Sequence, residues 1–312
     1  MNIVAIEPLG MDKSLVTLYQ QYFEKRGHKF TCFLDRTENK DEIICRMQNA
    51  EIVLVSNLPM TREILSVLPK LKMLAVAFAG VDHVDLDFCQ EKNIIVKNTP
   101  DYSTIAVAEL TVGLMIHLYR SLLDMGNKAR TGGTRGDHLG LELHEKTVGI
   151  IGTGRIGSRV ARYMLAFGSK VIAWNRSPHL ELQDLGVEYV SLDKLLRAAD
   201  ILSLHLPLTT ETTGLLSAER ISLCKPSAVL INTARGRLTD MEAIAHALHS
   251  HRLAGAAFDV FEKEPPLPKN HPLLNAPNCV VLPHVGYATR EAFQRRIDAL
   301  MKNVESFIPP LS

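Results

Sequence analysis

The stretch "VGIIGTGRIGSRVARYMLAFG", residues 148–168, decides the fold of this 312-residue chain. An apolar run typical of a buried strand leads into a loop that contains Gly152, Gly154 and Gly157, and an amphipathic helix pattern follows at once. In this arrangement the first glycine allows a tight turn, the second lets backbone approach a pyrophosphate, and the third lets the helix pack on the strand. The free N–H groups of the helix N-terminus favour phosphate. We therefore predict a dinucleotide site. The alternatives are a glycine turn that serves only packing, or another Rossmann-type nucleotide binder such as a methyltransferase.

Strand and helix patterns alternate on both sides of this stretch. Short β-rich runs occur at residues 2–6, 28–33, 51–55 and 72–77. A second series starts in the quoted stretch and continues through "KVIAWN", "DILSLHLP", "AVLINTARG", "LAGAAFDVF" and "NCVVLPHVG". Runs this rich in Val, Ile, Leu and Ala are typical of strands buried on both faces of a parallel sheet. The sequence thus predicts an α/β fold with two domains and a cleft between them, where small ligands usually bind.

The segment between the two series has a different character. "YSTIAVAELTVGLMIHLYRSLLDMGNKAR" is long enough for one extended helix, which we predict there. "TGGTRGDHLGLELHEK" follows it, and its glycines and polar residues predict an exposed arm or linker. A C-terminal helix is predicted from Thr289 to about Phe307.

Composition limits the classes of partner. The net charge is +1, with 46% hydrophobic and 22% charged residues, so there is no electrostatic case for nucleic acid or a lipid surface. The five cysteines are scattered and lack metal-ligand spacing, which predicts reduced thiols in a cytoplasmic protein and no metal site. Glu7 and Pro8 interrupt the N-terminal apolar run, so it predicts a first strand rather than a signal peptide, and no run approaches the length of a membrane span.

The stretch "VIAWNRSP" carries the information on cofactor choice. An acid at this strand end would hold the adenine-ribose hydroxyls and repel a 2′-phosphate, but Asn175, Arg176 and Ser177 stand there instead. Arg176 offers a planar fork to a 2′-phosphate, with Ser177 and Asn175 as neutral donors and Arg155 as a second cation. We predict NADP(H) rather than NAD(H). In the alternative, Arg176 lies over the adenine or in solvent, and the protein discriminates only weakly between NADP(H) and NAD(H).

Polar residues follow three later strands. Arg235 occurs in "VLINTARGRLTDMEAI", Glu264 in "AAFDVFEKEPPLP" and His284 in "VVLPHVGYAT". Thr239 and Glu242 predict a capping box that anchors the turn after Arg235. Ligands bind at the carboxyl ends of strands in such sheets. An arginine, a carboxylate and an imidazole that meet there are suited to bind a 2-oxo acid and deliver a proton.

This chain resembles the D-isomer-specific 2-hydroxyacid dehydrogenases in six motifs that occur in the same order: "AFAGVDHVDL", "NTPDYSTIAVAEL", "GTGRIGSRVA", "NTARGRLTD", "AAFDVFEKEPP" and "PHVGYAT". The match covers nearly the whole length. The resemblance implies a Rossmann-type nucleotide-binding domain, residues 100–286, inserted into a smaller flavodoxin-like α/β substrate domain, residues 1–99 plus 287–312. It also implies a homodimer that is assembled through the helix and arm of the inserted domain.

The resemblance implies roles for individual residues. Arg235 would pair with the substrate carboxylate and polarise the 2-oxo group, His284 would exchange the proton, and Glu264 would fix the imidazole tautomer. The N–H groups of Ala79 and Gly80 would complete the carboxylate seat. The implied cofactor contacts are Gly152, Gly154, Arg155, Ile156, Gly157, Asn175, Arg176, Ser177, Leu206, Pro207, Thr233, Ala234, Arg235, Asp259, His284 and Gly286.

The loop "SNLPMTREI" would lie over the substrate side chain, by the same resemblance. Leu58 and Met60 are apolar, and we expect Leu58 to contact the substrate. Arg62 is the basic residue of the loop, and Ser56 stands where phosphoglycerate dehydrogenases would have an arginine. A phosphorylated substrate requires fixed cations or several donors. We therefore predict glyoxylate, hydroxypyruvate or a modestly larger apolar 2-oxo acid rather than 3-phosphoglycerate.

Two other classes remain as alternatives. One is a dehydrogenase-like NAD(P)-binding corepressor or regulatory protein, against which the intact arginine, glutamate and histidine set argues. The other is a formate- or phosphite-oxidising relative on the same scaffold. The formate type resembles a glutamine–histidine pair, whereas this chain has Glu264.

Overall fold

The computed structural model describes residues 1–264 and 266–309, and the chain divides into two compact units. Unit 1 comprises Met1–Ser103 and Thr289–Ser312, and unit 2 comprises Thr104–Ala288. The limits expected from the sequence lie after residues 99 and 286.

Unit 1 contains a parallel sheet with helices on both faces. Its strands are β1 (Asn2–Ala5), β2 (Lys29–Cys32), β3 (Ile52–Val55), β4 (Met73–Val76) and β5 (Ile95–Lys97). Its helices are α1 (Lys13–Glu24), α2 (Lys40–Met47), α3 (Arg62–Leu65), α4 (Leu86–Glu91) and a C-terminal helix (Arg290–Glu305). The sheet order is β2-β1-β3-β4-β5, which is the flavodoxin-like order, with Ile3 opposite both Phe30 and Ile52.

The core of unit 1 follows from the period of two along its strands. Ile52 and Leu54 point to the layer that contains α1 and the C-terminal helix, whereas Val53 and Val55 point to the layer that contains α2. All four side chains are fully buried. Complete burial of an aliphatic side chain of this size stabilises a fold by about 1.5–3 kcal/mol. The central strands therefore have to be apolar on both faces.

Unit 2 contains a larger parallel sheet. Its strands are β6 (Thr147–Ile151), β7 (Lys170–Trp174), β8 (Glu188–Tyr189), β9 (Ile201–Leu204), β10 (Val229–Asn232), β11 (Gly255–Phe258) and β12 (Cys279–Val281). Its α-helices are α5 (Thr104–Arg120), α6 (Leu122–Arg130), α7 (Arg155–Ala166), α8 (Leu180–Asp184), α9 (Leu192–Ala198), α10 (Ala218–Ile221) and α11 (Met241–His249). The order is β12-β11-β10-β9-β6-β7-β8, so the direction of winding reverses between β6 and β9. This is the Rossmann arrangement, and the predicted α/β class is confirmed.

The predicted single helix between the two series of strands is wrong. It is broken into α5 and α6, which are bent by 60° at Ser121, a residue with φ of +47°. A left-handed residue cannot continue a right-handed helix. The carbonyl of Tyr119 accepts the N–H of Leu141 at 2.8 Å, so part of the arm takes a carbonyl near the helix end.

The same two helices bear on membrane insertion. Among the helices of the described chain, none is by itself long and apolar enough to cross a membrane; α5 and α6 reach the threshold only when they are counted together across their bend. Helix α5 packs within unit 2, where Ala108 and Met115 are fully buried.

Candidate active site

The glycine loop lies at the carboxyl end of β6, beside the reversal of the sheet order. Gly152 has φ of +97°, and a Cβ there would lie 2.7 Å from the carbonyl oxygen of His205. A Cβ on Gly157 would lie 1.9 Å from the carbonyl oxygen of Gly152, so only glycine lets α7 begin this close to the loop. At Gly154 the described atoms leave open space, and none of the described side chains caps α7. These features fit a dinucleotide pyrophosphate, with Arg155 exposed and Ile156 half-buried in the first turn.

The turn after β7 is partly shaped by its own side chains. Asn175 accepts the N–H of Thr153 through Oδ1 at 3.4 Å and donates from Nδ2 to the carbonyl of Ser177 at 2.7 Å. The Asn175 side chain therefore joins the glycine loop to the turn after β7. Arg176 and Ser177 are both exposed.

The loop after β9 borders the glycine loop. A Cβ on Gly152 would lie 2.8 Å from a methyl group of Leu206, and Pro207 is exposed. His205 was not predicted, although a histidine directly after a buried strand was the available signal. Its Nε2 lies 2.8 Å from Ser203 Oγ, and burial lowers its pKa to about 3, so the ring is uncharged at neutral pH.

The same loop carries an acid, Glu211, that is close enough to Arg176 to sense its charge. The pKa of Glu211 is lowered first by the hydroxyl of Thr209, which donates to it at 2.6 Å, and also by the positive charge of Arg176. The field at Arg176 thus includes a negative charge from the loop after β9. Sequence distance hid this acid, which is remote from the expected position at the end of β7.

The other predicted polar residues of unit 2 lie at one edge of the sheet. Strands β10, β11 and β12 are neighbours, and Asn232 stands opposite Phe258, which stands opposite Val281. The segments that follow these three strands carry Arg235, Asp259 with Glu264, and His284. The topology thus brings together side chains that are up to about fifty residues apart in sequence.

The turn that carries Arg235 is held by buried polar groups. Asn232 is fully buried; its Nδ2 donates to the carbonyl of Arg235 at 2.9 Å, and its Oδ1 accepts the N–H of Ala234 at 3.0 Å. Thr233 Oγ1 lies 3.0 Å from Thr111 Oγ1 on α5. Arg235 donates from Nη1 to the carbonyl of Ala234 at 2.8 Å. Asn232 is a supporting residue that the sequence motifs did not reveal.

The predicted capping box after this turn is wrong. Asp240 caps α11, because its side chain accepts the N–H of Ala243 at 2.9 Å. Thr239 instead donates from Oγ1 to the carbonyl of Gly236 at 3.0 Å, within a 3₁₀ turn at Gly236–Leu238. This short turn uses the Thr239 hydroxyl, so the helix starts one residue later than the capping box requires.

Gly236 brings the Arg235 turn against the segment that leads to Glu264. A Cβ on Gly236 would lie 2.0 Å from the carbonyl carbon of Phe261, so the two backbones touch. The Phe261 ring lies edge-to-face with the His271 ring, with the two centroids 5.4 Å apart. His271 also reaches the carboxylate of Glu262, at 3.4 Å from Nε2. Neither Gly236 nor His271 was predicted from the sequence.

His284 and Glu264 are in direct contact. Nδ1 of His284 lies 2.8 Å from Glu264 Oε2, and the side chains are 34% and 48% exposed. Because a carboxylate accepts hydrogen bonds, Nδ1 carries a proton and Nε2 is left for another partner. The ring also lies edge-to-face with Tyr287 at 5.7 Å.

Asp259 holds the backbone next to His284. It is 1% exposed and accepts the N–H groups of Val285 and Gly286 at 2.8 and 2.7 Å. Burial raises its pKa, and these two hydrogen bonds oppose the increase. His284 has φ of +56°. The carboxylate therefore stabilises an uncommon backbone conformation at the histidine.

In unit 1, Ala79 and Gly80 follow β4. Asn98 donates from Nδ2 to the carbonyl of Ala79 at 2.6 Å, and the N–H of Thr99 bonds to the carbonyl of Phe78 at 3.1 Å. Hydrogen bonds thus tie Phe78 and Ala79 to the segment after β5. Ala79 is the first residue of the predicted carboxylate seat. Ala79 itself is exposed.

The loop after β3 differs from the expectation. Leu58 and Met60 are fully buried in the core of unit 1, so their side chains give the loop no apolar surface. Burial of these two residues anchors the loop. The loop exposes Asn57 and Pro59 instead.

Residues 112–286 match the family model described as D-isomer specific 2-hydroxyacid dehydrogenase, NAD binding domain. A glyoxylate reductase of Aeropyrum pernix is 41% identical over 80% of this chain and 78% of its own length. A D-3-phosphoglycerate dehydrogenase of Methanocaldococcus jannaschii is 39% identical over 81% of this chain, which spans only 49% of that relative. The crystal structure of a D-lactate dehydrogenase from Aquifex aeolicus, complexed with NAD and lactic acid, has a TM-score of 0.86 and 33% identity over 98% of this chain and 95% of that one.

Proposed function

The chain belongs to the D-isomer-specific 2-hydroxyacid dehydrogenase family and is an NAD(P)-dependent enzyme of that family, and from this premise we propose that it reduces small, unphosphorylated 2-oxo acids with NADPH. Glyoxylate and hydroxypyruvate are the substrates that we favour. The observation that carries the proposal is the contact of 2.8 Å between His284 and Glu264, next to the strand end that bears Arg235. A histidine that is oriented by a carboxylate is suited to proton transfer.

In this proposal each residue has one task. The nicotinamide, when bound, supplies a hydride to C2 of the substrate. Arg235 pairs with the substrate carboxylate and polarises the C2 carbonyl. His284 gives the proton on Nε2 to the carbonyl oxygen, which becomes the hydroxyl of the product, and Glu264 stabilises the positive imidazole before the transfer. Unit 2 would bind the cofactor and unit 1 the substrate, with its carboxylate on the N–H groups of Ala79 and Gly80.

The preference for NADPH rests on the turn after β7. Arg176 and Ser177 are exposed donors, and neither they nor their neighbours in that turn are acids. An arginine fork pairs well with phosphate.

The preference for unphosphorylated acids rests on the cations around the loop after β3. Arg62 donates to Glu91 at 2.7 and 2.9 Å and lies 3.6 Å from Asp85. Arg36 pairs with Glu7. Both guanidinium charges are matched by carboxylates, so neither offers a free cation to a substrate phosphate. For this reason we prefer the substrate of the glyoxylate reductase over that of the phosphoglycerate dehydrogenase.

We also propose a homodimer and a cytoplasmic location. Four leucines on α6 and the following arm are 48–79% exposed, and apolar groups of this size favour burial against a partner. They are Leu122, Leu123, Leu139 and Leu141. All five cysteines are free thiols, as is usual in a reducing compartment.

A panel of 2-oxo acids tests the proposal. Glyoxylate, hydroxypyruvate, pyruvate and 3-phosphohydroxypyruvate would each be offered with NADPH and, separately, with NADH, and cofactor oxidation would be followed by absorbance. We expect the highest kcat/KM for glyoxylate or hydroxypyruvate with NADPH. Arg176→Ala should raise the KM for NADPH about tenfold and leave that for NADH nearly unchanged, since it removes a charged hydrogen bond. Equal or better use of NADH by the unaltered enzyme would contradict the cofactor assignment, and preference for the phosphorylated acid would contradict the substrate assignment.

A further inference from the structure

The point where strand order reverses in unit 1 contains a buried carboxylate. The flavodoxin-like order places this point between β1 and β3, where sheets of this kind bind ligands. Glu7 follows β1 and is 2% exposed. Its Oε1 accepts the N–H of Ser56 at 2.7 Å and approaches that of Leu58 at 3.4 Å, both in the loop after β3. A side chain of the protein therefore occupies the anion position that backbone N–H groups create here.

The charge of Glu7 is balanced by Arg36, which extends the network to the surface. Arg36 donates from Nη1 to Glu7 Oε2 and, from the same nitrogen, to Asn57 Oδ1 at 2.8 Å. Asn57 is exposed, whereas its neighbours Ser56 and Leu58 are buried. Since Oδ1 accepts from Arg36, the amide is oriented and its two N–H hydrogens are directed away from Arg36. These hydrogen bonds connect the buried carboxylate of Glu7, through Arg36, to the side-chain amide of Asn57.

The position of that donor group is determined by the sheet. Strands β3 and β4 are neighbours, and Val55 stands opposite Val76. The loop that carries Asn57 and the loop that carries Ala79 and Gly80 therefore leave the same edge of the sheet on adjacent strands. If the N–H groups of Ala79 and Gly80 hold the substrate carboxylate, the C3 substituent of the substrate would lie next to the backbone and side chains of the neighbouring loop.

We propose that Asn57 is a specificity-determining residue that donates a hydrogen bond to a neutral oxygen on C3 of the substrate, and that Glu7 and Arg36 are positioning residues for it. The inference rests on the proposed function and goes beyond it, because it separates hydroxypyruvate, which has a C3 hydroxyl, from glyoxylate, which has no C3. A neutral amide donor suits a hydroxyl, whereas a phosphate would require the charge that Glu7 already takes from Arg36.

The test compares two substrates in single variants. In Asn57→Ala the ratio of kcat/KM for hydroxypyruvate to that for glyoxylate should fall about 5–10-fold, through KM, because one hydrogen bond to a neutral group is lost. Arg36→Met should lower the same ratio, and the double variant should lose no more than Asn57→Ala alone. Arg62→Met is the matched control, since it removes an exposed ion pair from the adjacent helix, and it should leave the ratio unchanged.

The outcomes separate this inference from the proposed function. If Asn57→Ala lowers both kcat/KM values equally, or leaves their ratio within twofold, the residue does not read the substituent and the inference fails while the proposed function stands. Additive losses in the double variant would show that Arg36 does not act through Asn57. If the unaltered enzyme reduces neither acid, both fail. Glu7→Gln should lower the ratio as Arg36→Met does. If the buried Glu7→Gln change prevents folding, Arg36→Met still tests the inference, because the Arg36 side chain is 39% exposed.

Discussion

His284 has a backbone conformation that few residues adopt. Its φ of +56° lies in the left-handed region, which costs an ordinary residue about 1 kcal/mol or more. Asp259 offsets this cost through hydrogen bonds to the next two N–H groups. The proposed acid–base group is thus fixed on two sides, by Glu264 at its ring and by Asp259 at its backbone.

Asp259→Asn tests the second of these supports. The amide has one acceptor oxygen, so one N–H next to His284 loses its partner, and we expect kcat to fall about tenfold, the equivalent of about 1.4 kcal/mol. Steady-state kinetics measures the loss. Asp240→Asn is the matched control, because asparagine caps a helix as well as aspartate does, and its kcat should stay at the wild-type value. Equal kcat in both variants would mean that Asp259 does not support His284.

The raised pKa of Asp259 predicts that the free energy of unfolding depends on pH. Burial raises the pKa of Asp259 above its ordinary value of 3.8, so the folded protein takes up this proton at a higher pH than the unfolded chain does. The free energy of unfolding should therefore fall as the pH rises from 3.8 through the raised pKa, and Asp259→Asn should lack this part of the slope. Urea unfolding at several pH values measures it. Identical slopes for the two proteins would contradict the assignment.

The turn after β10 and the segment after β11 depend on each other. Their contact at Gly236 leaves no room for a methyl group, because the nearest backbone atom of Phe261 would be 2.0 Å from it. The relative placement of the elements that carry Arg235 and Glu264 therefore depends on a residue without a side chain.

Gly236→Ala should separate the two elements. We expect a loss of about 3 kcal/mol in the free energy of unfolding, since backbone has to move, together with a fall in kcat/KM for the 2-oxo acid. Gly113→Ala in α5 is the control, because the described chain leaves open space there and alanine favours a helix. Urea unfolding and kinetics on both variants measure the effects. A Gly236→Ala protein as stable and as active as the control would contradict the proposed contact.

The errors at the level of elements have physical causes. At the break between α5 and α6, the carbonyl of Tyr119 accepts the N–H of Leu141, which lies twenty residues beyond Ser121, and a local helix pattern does not contain such a contact. At the start of α11, Thr239 and Asp240 are both good caps, and a 3₁₀ turn decides between them. Strand β8 has two residues, too few for a periodic pattern.

For the whole molecule, alternating patterns and buried apolar runs were sufficient to predict the α/β class. The motif resemblance added the positions of Arg235, Glu264 and His284. The supports of these residues were missed, because the roles of Asn232 and His271 depend on contacts that only the folded chain creates. Leu58 was expected to contact the substrate because it is apolar, but its side chain is buried in the core of unit 1, where an apolar group is more stable.

The most direct test of the account is the turnover of His284→Ala, measured together with its affinity for NADPH. We expect kcat for glyoxylate or hydroxypyruvate to fall by about 10²–10⁴-fold, the usual contribution of acid–base catalysis, while the Kd for NADPH changes less than about twofold. His246→Ala, an exposed histidine on α11, should keep full activity in the same assay. A His284→Ala enzyme that retained more than about a tenth of the wild-type kcat would contradict the central claim, because another group would then supply the proton.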